Sequence, residues 1–232
     1  MNILKFFLRK AGLTKNFYNL LNKLNPTFDS LNAENLIALT KVFRQKLPPG
    51  DYYEFGVYKG FSLWFAYKMA QEFEYFDMNF FGFDSFEGMP EIKAKDRQED
   101  LSGNMFAKGN FAASLEFVKS NLKKRGVNME KVKLVKGFYE DSLKKEIIKQ
   151  YEMKKAAVIL VDCDLYSSSL KVLQFILPLL QKEAIILFDD YGLIKEAGQK
   201  LAVKEWLGEN KQLKFQHFCD FGLGRAFKVK EI

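Results

Sequence analysis

Three acidic residues stand where two apolar runs of the chain end, and their placement is typical of a metal site. Asp162 directly follows one unbroken apolar run, and the pair Asp189-Asp190 directly follows the next. Neighbouring parallel strands lie about 4.8 Å apart, so carboxylates at their ends converge on one small volume. Such carboxylates raise one another's pKa, and a hard divalent cation such as Mg²⁺, Mn²⁺ or Ca²⁺ relieves the repulsion. We predict that the three bind Mg²⁺ or Mn²⁺. For Asp164, capping of the next helix is an equal alternative.

A second group of residues is suited to an adenosyl ligand. Gly56 and Gly60 frame a short turn, and the lack of a Cβ lets a ligand approach its backbone closely. Asp84 follows later in the chain, near the spacing at which an acid accepts hydrogen bonds from a ribose diol. Glu54, beneath the turn, favours a ligand with ammonium or hydroxyl groups. The spacing is not G-x-G-x-x-G, so the dinucleotide fingerprint is absent.

Composition removes several classes of chemistry. The 232 residues include one histidine, His217, which excludes a zinc site built from several histidines. The chain contains no G-x-S-x-G elbow, no G-x-x-x-x-G-K-[ST] loop and no CxxC pair. Cys163 and Cys219 are typical of free thiols in a reducing compartment, so we expect a cytoplasmic protein. The net charge of +7 comes from scattered lysines, so we expect no nucleic-acid partner.

Short apolar runs alternate with helical stretches after residue 51. Repetition of strand and helix predicts an α/β fold with a doubly wound, mostly parallel sheet and right-handed crossovers. The predicted strands are 52–57, 80–84, 132–136, 157–162 and 184–188, with helices near 61–74, 112–125, 141–151 and 166–182. Two late runs, around Phe215–His217 and Arg225–Val229, predict an antiparallel hairpin that closes the sheet. After the third strand, Gly137 and Phe138 are placed to border an adenine ring, with a core role for Phe138 nearly as well supported.

The apolar spacing of residues 1–50 predicts an N-terminal helical extension, with a second helix near 32–47 that Pro48-Pro49-Gly50 stops. Packing against the chain's own domain is the favoured interpretation, with a dimer face or a membrane-surface helix as alternatives. No run approaches 18 apolar residues, so we expect no transmembrane segment. We therefore keep homodimerisation and peripheral membrane contact as open expectations.

Six sequence blocks in order resemble the macrocin O-methyltransferase (TylF/MycF-type) family. They are YEFGVYKGFS at 53–62, FDSFEGMPE at 83–91, GNFAASL at 109–115, VKGFYEDSL at 135–143, DCDLYSS at 162–168 and DDY at 189–191. The resemblance covers about residues 50–228. It implies that residues 51–232 form a class I, S-adenosylmethionine-dependent methyltransferase domain with a seven-stranded sheet.

The resemblance also implies roles for individual residues. Asp84 binds the ribose diol, and Asp162 is both metal ligand and general base, so it is the expected catalytic residue. The implied S-adenosyl-L-methionine-binding residues are Glu54, Gly56, Tyr58, Gly60, Ser62, Asp84, Ser85, Gly137, Phe138 and Asp162. The implied metal ligands for Mg²⁺ or Mn²⁺ are Asp162, Asp189 and Asp190.

The family relation implies an O-methyltransferase that methylates a hydroxyl of a sugar or a sugar-containing metabolite or glycan. The acceptor partner is thus a small molecule or a saccharide. A catechol-type O-methyltransferase uses the same metal chemistry and stays open as an alternative. A nicotinamide-dependent oxidoreductase is disfavoured by the missing glycine fingerprint, and a non-catalytic protein with this fold is the remaining alternative.

Overall fold

A seven-stranded sheet forms the centre of the computed structural model, which describes residues 33–92, 96, 107–193 and 197–232. The strand order is β3-β2-β1-β4-β5-β7-β6, with β1 to β5 parallel and β7 antiparallel to both neighbours. The strands are β1 Asp51–Phe55, β2 Phe80–Asp84, β3 Val132–Lys136, β4 Ala156–Val161, β5 Ile185–Phe188, β6 Lys214–Phe221 and β7 Gly224–Glu231. The predicted doubly wound sheet with a closing hairpin is confirmed.

Helices cover both faces of this sheet. In the described residues they are α1 Ala33–Phe43, α2 Phe61–Glu72, α3 Leu115–Lys124, α4 Tyr139–Ser142, α5 Lys145–Gln150, α6 Tyr166–Ile176 and α7 Gly198–Glu209. The stretch predicted as one helix near 141–151 is two short helices. The stretch predicted to run to 182 ends its α-helix at Ile176, because Pro178 lacks the N–H that a continuing helix needs. Among the helices of the described residues, none has the length and apolarity to cross a membrane.

Burial explains the composition of the strands. All six residues of β4 are buried, as expected for a parallel strand with helices on both sides. At the edge of the sheet, β3 buries only Val132 and Val135 and exposes Lys133 and Lys136. Aromatic pairs join β1 to β2 in register: Tyr53 stacks on Phe81 with ring centroids 5.2 Å apart, and Phe55 stacks on Phe83 at 4.9 Å. These pairs fix the relative position of the two strands whose ends carry the predicted ligand-binding turns.

Each face of the sheet has its own hydrophobic core. One core includes Leu36, Leu39 and Phe43 of α1 together with side chains of α2 and α3. The other core is formed by α6 and α7, with Trp206 fully buried. Helix α1 lies within the predicted helix 32–47, and its apolar side packs into the core of the domain. The remainder of the predicted N-terminal extension, residues 1–32, lies outside the described residues.

The parallel strands end in line with one another. The backbone N–H of Gly56 donates to Phe83 (2.9 Å), that of Asp162 to Phe55 (2.8 Å) and that of Asp189 to Val161 (3.0 Å). The sheet hydrogen bonding thus continues for one residue beyond β1, β4 and β5. As a result, the turn after β1 and the acidic residues after β4 and β5 meet at one edge of the sheet.

Candidate active site

A cavity of about 320 Å³ opens at this carboxyl edge of the sheet. Residues from α1, from the turn after β1 and from the segments after β2, β3, β4 and β5 form its wall. Eight of the residues predicted from the sequence line it: Gly56, Tyr58, Ser62, Asp84, Ser85, Phe138, Asp162 and Asp189. The other predicted residues, Glu54, Gly60, Gly137 and Asp190, lie behind this wall or beside it.

The turn after β1 depends on a glycine for a close backbone approach. Gly56 has φ +92°, and a Cβ built there would lie 1.6 Å from the carbonyl oxygen of Asp162. Any side chain would therefore separate β1 from the residue that begins the acidic cluster. Gly60 has φ +83° and caps the start of α2, so it closes the other end of the turn.

Asp84 holds the same turn from β2. Its Oδ2 accepts hydrogen bonds from the backbone N–H groups of Val57 (2.8 Å) and Tyr58 (2.9 Å), and its Oδ1 accepts one from Phe86 (2.7 Å). The carboxylate lies in the cavity wall, where its Oδ1 keeps one lone pair for a ligand hydroxyl. The Ser85 hydroxyl instead donates to the carbonyl of Gly88 (2.7 Å) and shapes the next turn.

Glu54 lies beneath the turn and is fully buried. It accepts hydrogen bonds from the hydroxyls of Tyr52 (2.6 Å) and Ser62 (2.7 Å). Burial raises the pKa of Glu54 to about 8, and the two hydroxyl donors only partly oppose this effect. Of these residues only Ser62 lines the cavity, so Glu54 faces it through that hydroxyl.

Carboxylates of Asp162, Asp164 and Asp190 form one cluster, with one oxygen from each lying within 4.8 Å of the others. Burial raises the pKa of Asp162 well above its usual range, and the charges of Asp189, Asp190 and Asp164 raise it further. Burial likewise raises the pKa of Asp189 to about 7 and that of Asp190 to about 8. Such a group is electrostatically costly unless protons or a cation compensate it.

The structure distinguishes between the two roles considered for Asp164. Helix α6 has no side-chain cap from its N-cap residue, Leu165. Instead Asp96 accepts hydrogen bonds from the backbone N–H (2.9 Å) and hydroxyl (2.7 Å) of Ser167, in the first turn of that helix. Asp164, with φ +56°, is therefore a member of the acidic cluster. The D-x-D spacing was the available signal for it.

The acidic cluster fits a hard divalent cation. Its donors are carboxylate oxygens, which Mg²⁺ and Mn²⁺ prefer. Asp190 Oδ2 is buried and has no hydrogen-bond partner among the described residues, which leaves one oxygen of the cluster available to a ligand. Asp189 lies at the cavity wall beside the cluster and is hydrogen-bonded to Asn35 and Asp162.

Other residues of the cavity wall had no role assigned to them from the sequence. Phe111 is 46% exposed, has φ +57° and contacts Tyr58 edge to face, with ring centroids 5.9 Å apart. Met89 and Pro90 follow the turn after β2, and Asn35 and Leu36 come from α1. None of these residues stands at a strand end, which was the position that guided the sequence prediction. His217 is exposed and pairs with Asp220 at 3.2 Å, and it does not line the cavity.

Comparison with known proteins identifies relatives for most of the chain. Residues 32–214 match the family model of Macrocin-O-methyltransferase (TylF). From Streptomyces olivaceus, 8-demethyl-8-(2,3-dimethoxy-alpha-L-rhamnosyl)-tetracenomycin-C 4'-O-methyltransferase is 30% identical over 146 residues, which are 62% of this chain and 54% of that protein. From Micromonospora griseorubida, mycinamicin III 3''-O-methyltransferase is 27% identical over 146 residues, 62% of this chain and 56% of that protein. The matched part thus spans about half the length of these relatives.

Solved structures share the fold. The O-methyltransferase NovP superimposes with a TM-score of 0.73 at 22% identity, covering 86% of this chain and 81% of NovP. The calicheamicin methyltransferase CalS11 gives a TM-score of 0.68 at 23% identity, covering 84% of this chain and 78% of CalS11. At these identities the likeness establishes the methyltransferase fold.

Proposed function

Because the chain belongs to the macrocin O-methyltransferase (TylF) family, we propose that it moves a methyl group from S-adenosylmethionine to a hydroxyl of a sugar or sugar-containing metabolite. The observation that carries the proposal is the cavity in which the turn after β1, Asp84 and the acidic cluster converge. The names of the two curated relatives describe O-methyl transfer, one of them on a rhamnosyl compound. This agreement favours a sugar hydroxyl over the catechol alternative.

The donor is proposed to bind along the turn after β1. Backbone of the Gly56–Gly60 turn, the hydroxyl of Ser62 and the ring of Tyr58 offer the contacts on one side. Asp84 offers the remaining lone pair of Oδ1 to a hydroxyl of the ribose diol, and Phe138 offers an apolar surface to the adenine. Gly56 and Gly60 act through the shape of this turn, and Gly137, φ +142°, acts through the turn that presents Phe138.

The metal would be held by Asp162, Asp164 and Asp190, with Asp189 beside them. When bound, Mg²⁺ or Mn²⁺ supplies positive charge that lowers the pKa of a coordinated hydroxyl. The half-buried carboxylates of Asp162 and Asp164 line the cavity and so place this chemistry at its wall. Alignment of donor and acceptor removes much of the entropic barrier to a direct displacement.

Asp162 is proposed as the general base. It lines the cavity, where its carboxylate can accept the proton of a hydroxyl bound there. The acceptor hydroxyl gives its proton to Asp162 as its oxygen bonds to the methyl carbon. The carbon–sulfur bond breaks at the same time, and the sulfur keeps that electron pair, which yields neutral S-adenosylhomocysteine.

Release of S-adenosylhomocysteine tests this proposal directly. The protein is incubated with S-adenosylmethionine, Mg²⁺ and separate panels of deoxysugar glycosides, nucleotide-linked sugars and catechols. We expect turnover with a sugar panel, and Asp162→Asn should lower it by about 10²–10⁴-fold while donor binding persists. Asp77→Asn, an exposed acid before β2, is the matched control and should retain activity. Turnover on catechols alone would contradict the sugar assignment, and equal loss of donor binding in Asp162→Asn would make that residue structural.

We also propose a cellular location and an oligomeric state for the protein. We place the enzyme in the cytoplasm on its free cysteines, Cys163 and Cys219, and keep a homodimer and contact of the basic N-terminal segment with an anionic membrane as predictions. Light scattering after size exclusion tests the dimer. Flotation with vesicles of anionic and neutral lipid tests the membrane contact, which anionic vesicles alone should support.

A further inference from the structure

Two buried amide side chains approach the Asp189–Asp190 pair from opposite faces of the sheet. Gln199 belongs to α7 and is 1% exposed, and Asn35 belongs to α1 and is 5% exposed. Neither residue belongs to a sequence motif to which we assigned a chemical role. We propose that Gln199 and Asn35 are positioning residues for the metal-binding acids, an inference that rests on the metal site proposed above.

Gln199 joins the ends of β4 and β5. Its Oε1 accepts a hydrogen bond from the backbone N–H of Asp190 (3.1 Å), and its Nε2 donates to the carbonyl of Val161 (3.2 Å). Val161 directly precedes Asp162, so one side chain spans the backbone beside two members of the acidic cluster. The amide oxygen and the amide nitrogen of Gln199 are thus both hydrogen-bonded. Because the side chain is buried, water cannot replace these two hydrogen bonds. Gln199 therefore sets the separation of Asp162 and Asp190.

Asn35 acts on the neighbouring acid from the other face. It lines the cavity and is hydrogen-bonded to the side chain of Asp189, a contact that lowers the pKa of that carboxyl against the effect of burial. An amide N–H can orient a carboxylate without adding charge. A lysine here would compete with a cation, and a further acid would increase the repulsion.

The start of α1 is held where Asn35 can make this contact. A Cβ built at Gly222, in the turn between β6 and β7, would lie 1.6 Å from Glu34 Oε2, so the helix start abuts that turn. In the same turn, the carbonyl of Leu223 accepts a hydrogen bond from the backbone N–H of Gly192 (2.7 Å), which lies two residues after Asp190. Farther along α1, the Thr40 hydroxyl contacts Met69 of α2. The helix is thereby linked to the segment that carries the acidic pair.

The chain offers matched controls at the opposite edge of the sheet. Gln181 donates to the carbonyl of Ala156 (3.0 Å), the first residue of β4, as Gln199 does to the last. Asn79 Nδ2 donates a hydrogen bond to the buried Asp51 (3.3 Å). Like Asn35, it is an amide paired with an acid, but it lies far from the cavity. Replacement of these two residues removes the same kinds of hydrogen bond without touching the acidic cluster.

Mn²⁺ binding to the full chain tests the inference, with free Mn²⁺ counted by electron paramagnetic resonance and S-adenosylhomocysteine binding followed by calorimetry. Gln199→Met and Asn35→Leu should each raise the Mn²⁺ dissociation constant about tenfold or more, as is typical when a group that orients a metal ligand is removed. Affinity for S-adenosylhomocysteine should be retained. Gln181→Met and Asn79→Leu should keep the wild-type Mn²⁺ affinity, even where the melting temperature falls by a similar amount.

Three outcomes would overturn the inference, and they differ from one another. Unchanged Mn²⁺ affinity in both amide variants would refute the positioning role while leaving the metal site intact. Equal weakening in all four variants would show a general effect of stability. Absence of Mn²⁺ binding by the folded wild-type chain would refute the proposed metal site itself, and the positioning role with it.

Discussion

At the scale of single residues, the acidic side chains lie together because they follow apolar strands that end at the same edge of the sheet. The positions of Asp162, Asp189 and Asp190 could be predicted because each lies within two residues after a buried strand, and strand ends share one edge. The inclusion of Asp164 required the backbone geometry of the turn before α6. Asn35 and Gln199 had no local signal, because a buried amide on a helix has the same sequence appearance as an exposed one.

The raised pKa values predict how stability depends on pH. Carboxyls with a pKa of about 7 to 8 in the folded chain, such as Asp189 and Asp190, keep protons that the unfolded chain loses above about pH 4. Folding therefore takes up protons, so the free energy of unfolding falls as the pH rises from about 4 to 8. In metal-free buffer, we expect the melting temperature to fall by roughly 3 °C or more between pH 6 and pH 8.5.

Two comparisons check that cause in the same melting experiment. Asp190→Asn removes one of the repelling acids and should flatten the pH dependence. Mn²⁺ should raise the melting temperature more at pH 8 than at pH 6, because protons and the cation compete for the same oxygens. A melting temperature that rises with pH in the wild type would contradict the electrostatic account.

At the scale of elements, the alternation of apolar runs and helical stretches was enough to predict the sheet. The predicted bounds of β2 and β3 are the observed ones, and those of β4 and β5 differ by one residue, since these runs are bounded by clear turns. Helix ends were less predictable, because the break between α4 and α5 at Leu143-Lys144 contains no proline or glycine. Contacts between elements, such as that of Asp96 with α6, could not be derived from local pattern.

Two glycine substitutions test the role assigned to the turn after β1. Gly56→Ala should destabilise the protein by about 3 kcal/mol or more, because φ is +92° and the new Cβ meets the Asp162 carbonyl. Gly208→Ala in α7 has nothing within 4 Å of its Cβ and should stabilise by about 0.5–1 kcal/mol. Urea unfolding measures both, and a Gly56→Ala protein as stable as wild type would show that the two strand ends do not need this approach.

At the scale of the whole molecule, donor turn and acidic cluster face one cavity although they come from distant parts of the sequence. The topology achieves this by placing β1 next to β4, and β4 next to β5. The family blocks predicted this arrangement, since five of the six contain or directly follow the end of one of the strands β1 to β5. The contribution of α1 to the cavity was not predictable, because Asn35 and Leu36 lie outside those blocks.

Removal of divalent cations is expected to stop turnover. With EDTA in the assay, activity on the accepted sugar should fall to about 1% or less, since a free sugar hydroxyl is a poor nucleophile at neutral pH. Addition of Mg²⁺ or Mn²⁺ in excess should restore it, and binding of S-adenosylhomocysteine should persist throughout. Full activity in metal-free buffer would exclude the cation from the reaction.

Binding of S-adenosylhomocysteine, measured by titration calorimetry with and without Mg²⁺, tests the central claim most directly. The account predicts binding to the wild-type chain with a dissociation constant in the micromolar range, about −8 kcal/mol. It also predicts that Asp84→Asn weakens this binding and that Asp162→Asn weakens it far less. No binding by a chain whose folding is verified by circular dichroism would contradict the assignment of the cavity to an adenosyl donor, and the methyltransferase proposal would fall with it.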